Sequence, residues 1–61
     1  MINTTQEAIK YLKSIDIHTT KRKNDYLVIG YEVYGITKDL IDNDKELIQY
    51  ANEWKELMEM E

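Results

Sequence analysis

Residues 26 to 34 read Tyr-Leu-Val-Ile-Gly-Tyr-Glu-Val-Tyr, the one run in which β-branched and aromatic residues dominate without interruption. This is the pattern of a strand. At period two, Leu27, Ile29, Tyr31 and Val33 fall on one face, while Tyr26, Val28, Gly30, Glu32 and Tyr34 fall on the other. The first face is apolar throughout, and the second still carries two tyrosines and a valine, so both faces call for cover. In a chain of 61 residues that doubled demand points to association rather than to chemistry.

A chain of this length buries only ~60% of its unfolded surface, and one small core supplies only a few kcal/mol. The usual reinforcements are disulfides, a structural metal or self-association. With no Cys and with His18 as the one histidine, disulfides are excluded and a zinc site is disfavoured. A homodimer is therefore expected. One domain is expected over residues 1–61, with no membrane span and no secretory leader at Met-Ile-Asn-Thr-Thr-Gln-Glu, hence a place in the cytoplasm. Charge is uneven: residues 1–25 carry net +2 and residues 26–61 net −6. An acidic surface repels phosphate backbones, which tilts the partner toward protein and away from nucleic acid, although solvation alone also accounts for it.

Along the chain, Thr4-x-x-Glu7 is a capping box, and Ala8, Ile9, Leu12 and Ile15 follow at helical spacing, predicting a helix from about Thr5 to Ser14. The period then becomes two, so a first strand is expected from about Asp16 to Lys21 or Arg22. In the connection to the next strand, a three-residue loop over Lys23 to Asp25 places Ile17 and Thr19 on the face of Leu27, Ile29 and Tyr31, whereas a four-residue loop reverses this. The three-residue loop is the reading adopted. After Gly35, Thr37 can cap and Ile36 can staple to Ile41, which predicts one helical turn. A second helix is expected from about Asp44 to Met58, with Leu47, Ala51, Trp54 and Met58 as its apolar stripe. Its end is acidic, against the helix dipole.

The fold class expected is α+β in the order helix, strand, strand, short helix, helix, with a two-stranded antiparallel hairpin packed by two helices. The expected core is Ile9, Leu12, Ile17, Leu27, Ile29, Tyr31, Val33, Leu47, Ala51 and Trp54.

No catalytic, cofactor or metal residue emerges. One His, one Ser and no Cys offer no converging nucleophile and base, so the chain is expected not to be an enzyme. His18 reads as a strand residue at the sheet rim. Asp42, Asp44, Glu46 and Glu53 imitate part of a calcium loop, but Leu47 stands where the tight turn requires Gly, and capping explains the acids. The basic tip Lys21, Arg22 and Lys23 has two readings, a solvated turn or a contact to nucleic acid or an acidic protein. Partner contacts are expected from Tyr26, Val28 and Tyr34 on the second face of the strand and from Glu53, Glu56 and Met58 on the last helix. The strand edge is the first choice for a homodimer interface and the last helix the second.

Ile, Lys, Asn and Tyr together number 24 residues against five for Ala, Gly, Pro and Arg, the bias of an AT-rich genome. In length, acidity, lack of Cys and this bias, the chain resembles the small accessory proteins carried by phages and mobile elements of Gram-positive bacteria. The resemblance implies a non-enzymatic protein that binds and inhibits or modulates a host protein, for example an anti-defence inhibitor. The alternative class is a small nucleic-acid-binding regulatory factor acting through Lys21, Arg22 and Lys23.

Overall fold

The computed structural model describes residues 1–32 and 35–60. The elements run α1 (Thr5–Ser14), β1 (Ile17–Lys21), β2 (Tyr26–Glu32), β3 (Gly35–Ile41) and α2 (Asp44–Glu59). The three strands form an antiparallel sheet in the order β1-β2-β3. Both helices pack on one face of that sheet, giving an α+β fold of two layers.

Local chemistry explains the helix ends. Thr4 Oγ1 accepts from the Glu7 N–H at 3.1 Å, as the capping box requires, and its hydroxyl lies 3.1 Å from the Glu7 carboxylate. Asn43 Oδ1 likewise accepts from the Glu46 N–H at 2.9 Å to start α2. The chain leaves α1 through Asp16 at φ 63°, the left-handed turn that reverses it into β1.

Three expectations are corrected by the sheet. First, the segment read as a short helical turn is β3. Its seven residues pair along the whole of β2, from Tyr26↔Ile41 to Glu32↔Gly35. Pairing overrides the local staple signal of Ile36 and Ile41, because each strand hydrogen bond and cross-strand contact is made only in the extended form. Gly35 opens β3 at φ 152°, a backbone angle that favours glycine. The expected two-stranded hairpin therefore supplies two strands of a three-stranded sheet.

Second, the β1–β2 loop has four residues, since Lys21 pairs with Tyr26, and the Arg22 N–H closes it on the Asp25 carbonyl at 2.7 Å. Third, that register reverses the faces. Ile17 pairs with Gly30 and Thr19 with Val28, so the helix side of β2 is Tyr26, Val28 and Gly30. Ile17 reaches over Gly30, where a β-carbon would stand 3.2 Å from Ile17 Cγ1. Leu27 and Ile29 are only half-buried and Tyr31 is exposed, so these three leave the expected core.

The core is Ile2, Ala8, Leu12, Ile17, Tyr26, Val28, Ile41, Leu47 and Ala51, with Ile9, Ile15, Ile48 and Trp54 among the residues packed around it. Leu12, Ile17, Leu47 and Ala51 stand where the sequence put them. Ile9 and Trp54 are at its margin, and Val33 lies outside the described residues. Ile2 is an addition. Asn52 holds it by a two-point contact, accepting the Ile2 N–H at 2.9 Å and donating to the Ile2 carbonyl at 3.0 Å, which ties the N-terminal segment to α2. Among the described residues no helix is long and apolar enough to cross a membrane.

Candidate functional site

Because both helices lie on one face, the opposite face of the sheet is open. Register places His18 and Thr20 of β1, Leu27, Ile29 and Tyr31 of β2, and Ile36, Lys38 and Leu40 of β3 on it. They form cross-strand rows. Thr20, Leu27 and Leu40 make one, His18, Ile29 and Lys38 the next, and Tyr31 and Ile36 the third. Tyr31 is 59%, Ile36 65% and Leu40 57% exposed, values that mark a surface and not a core margin. The His18 and Tyr31 rings meet edge to face at 5.8 Å, which fixes the aromatic corner of the patch. No acidic residue stands at an open-face position of the described strands whose side chains are defined, although the whole chain is −4.

The residues expected to contact a partner do not form one surface. Tyr26 and Val28 are 6% and 1% exposed beneath the helices, so they serve the core and offer a partner nothing. The cause is the reversed register. Tyr34 lies outside the described residues. Glu53, Glu56 and Met58 are exposed on α2, in the layer opposite the open face. The edge of β2 proposed for dimer pairing is occupied by β3, which leaves β1 and β3 as the sheet's edges. The sequence pattern instead points Leu27, Ile29 and Tyr31 to the core and Ile36 and Leu40 to a helical turn. One signal could have found Leu27, Ile29 and Tyr31, the four-residue length of Arg22-Lys23-Asn24-Asp25; Ile36 and Leu40 reach this face only through the pairing of β3 with β2.

Tyr26 shows how the inner face tolerates a phenol. Its O–H donates to Asp44 Oδ1 at the start of α2, so the polar tip of a buried ring is satisfied. That hydrogen bond, with burial and the carboxylate charge adding to it, raises the phenol above its ordinary value of 10.0.

The tip Lys21, Arg22 and Lys23 is exposed but partly engaged within the chain. Lys21 Nζ lies 5.9 Å from the Tyr26 ring centroid, and Arg22 Nε is 3.4 Å from Asp25 Oδ1. A cleft of about 560 Å³ separates the tip from the β3–α2 turn, and its far wall includes Asp42 and Asp44. A smaller apolar notch of about 160 Å³ lies between Ile15, Ile17, Gly30, Tyr31, Trp54 and Met58. Among the described residues no group of three or more His, Cys, Asp or Glu is placed to hold a metal ion.

No protein-family model matches this chain, and neither a curated protein nor a solved structure resembles it significantly.

Proposed function

We infer that this chain is a non-enzymatic protein-binding module, of the kind that binds a host protein and inhibits or modulates it, and that the open sheet face is its contact surface. One observation carries the reading. Tyr31, Ile36 and Leu40 expose most of their area beside half-buried Leu27 and Ile29, an apolar patch joined through Ile29 and interrupted on β3 by Lys38, its one Lys or Arg. Soluble chains seldom leave such a patch without use. The resemblance of its composition to small phage and mobile-element accessory proteins supports a host-protein target, as an anti-defence inhibitor would have.

The test is site-specific photo-crosslinking in the native host, with a photoreactive phenylalanine at position 31 and, as control, at position 53 on α2. Protein adducts at 31 that disappear in Leu40→Asp, with an unchanged melting temperature, support the reading. Adducts confined to position 53 would refute it.

The basic tip gives a second reading, nucleic-acid binding, favoured by the exposure of Lys21, Arg22 and Lys23. It ranks lower because Lys21 and Arg22 already have partners and because Asp25, Asp42 and Asp44 line the same cleft and offset most of the positive charge that the tip and Lys45 bring to it. A gel shift that weakens steeply with salt and is lost when all three become Ser is the result it requires.

A further inference from the structure

Resting on that protein-binding reading, we propose that the element seated on the open face is a single amphipathic helix with acidic residues beside its apolar stripe, and that Lys38 selects it. Shape gives the first reason. Three strands spaced ~4.8 Å apart make a face ~14 Å wide, and the seven residues of β2 and of β3 at ~3.3 Å each make it ~23 Å long along those two strands, with the five of β1 covering ~17 Å. One helix of ~10–12 Å diameter fills the width, and ~15 residues at 1.5 Å rise fill the length. The sheet is then covered on both faces by helices, a stable layer arrangement.

Charge gives the second. Lys38 sits in the middle row, between the Leu27–Leu40 pair and the Tyr31–Ile36 pair. A purely apolar partner covering this row would strip water from the ammonium and leave it unpaired, whereas a carboxylate flanking the stripe would pair with it. The acids of the chain cannot supply that carboxylate from the face itself, since no defined open-face position is acidic. A second copy stacked face to face fails on the same ground. In a two-fold pair centred on Ile29, Lys38 meets Lys38 when the facing strands run antiparallel and His18 when they run parallel. The small face also sets the class of contact: ~300 Å² per side is less than a stable interface buries, so the docking is weak and transient.

The experiment pans a display library of alanine-scaffold helices of about 15 residues, randomised along one stripe and its flanks, against the full chain, Lys38→Glu and Leu40→Asp. The expected binders keep Leu, Ile or Phe in the stripe and enrich Asp or Glu over Lys and Arg on one flank. Lys38→Glu should reverse that flank preference. For one selected acidic peptide, Lys38→Gln should weaken binding roughly fivefold, with its amide spectrum otherwise unchanged. Helices bound without charge bias would overturn the proposal while leaving the sheet face as a protein surface. A doubled chain mass in light scattering, lost in Leu40→Asp, would overturn it in favour of a second copy. Binders indifferent to Leu40→Asp, or retention of oligouridine without any helix, would overturn both this proposal and the protein-docking reading of the face.

Discussion

Neighbouring residues of β2 offer the most direct measurement of which face is covered. Val28 is 1% exposed beneath the helices, and Ile29 is half-buried on the open face. Val28→Ala removes two methyl groups from a closed site, about 1.6 kcal/mol at ~0.8 kcal/mol per carbon, and the cavity left behind brings the loss to about 2–3 kcal/mol. Ile29→Ala removes more atoms, yet much of that surface already touches water and no layer closes over it, so the loss should be about 1 kcal/mol. The weaker strand propensity of Ala enters both and cancels in the difference. The smaller deletion should therefore cost more. With a urea slope near 1 kcal/mol/M for so short a chain, the two midpoints should lie about 1–2 M apart, with Val28→Ala lower. If Ile29→Ala proves equally or more costly, the face is covered, and the reasoning that makes it a docking surface collapses. Repeating the titration at higher concentration would then tell whether a second copy supplies the cover.

Other outcomes follow from single groups. Thr19 Oγ1 is buried without a hydrogen-bond partner, so Thr19→Val should raise the urea midpoint by about 1 M, the equivalent of ~1 kcal/mol, while exposed Thr20→Val should change it by under half as much. Asn52→Ala removes both hydrogen bonds to Ile2 and should cost about 1–2 kcal/mol, with hydrogen exchange at the Ile2 amide accelerating before that of α2. Tyr26 holds its proton more tightly folded than unfolded, so the stability it contributes is complete below pH 10.0 and is lost as pH rises through the raised folded value. Urea midpoints on either side of pH 10.0 should fall more steeply for the natural chain than for Tyr26→Phe.

The parts of the fold visible in the sequence are those decided locally. Thr4, Glu7, Asn43 and Asp44 carry capping chemistry within one turn, and the bounds of α1 and α2 follow from them. β1 follows from the change of period after Ile15. The face of β2 does not, because both of its faces are apolar and alternation cannot choose between them. The choice falls to one residue of loop length, and the wrong choice moves Tyr26 and Val28 from core to surface and Leu27, Ile29 and Tyr31 the other way. β3 was hidden for a related reason. Lys38 and Asp39 break its apolar alternation, while Ile36, Thr37 and Ile41 happen to meet a helix-start pattern, so its strand character comes only from pairing with β2. The tie between Ile2 and Asn52 spans fifty positions and leaves no local signal.

An apolar face turned to water is also a hazard, because stacking of such faces is a route to aggregation, and the position of Lys38 bears on this. It divides the Leu27–Leu40 row from the Tyr31–Ile36 row, so it breaks a patch that would otherwise be continuous across β2 and β3. The acids of α2 lie in the other layer, where they charge the surface without adding negative charge to the face itself. Solubility and selection thus draw on the same ammonium but need different properties of it. Solubility needs only polarity, which Gln supplies; selection of an acidic flank needs the charge. Lys38→Leu should therefore precipitate at concentrations where the natural chain stays in solution. Lys38→Gln should stay in solution and yet lose its preference for acidic helices, and the contrast between these two variants separates a residue that merely guards the face from one that also chooses what docks there.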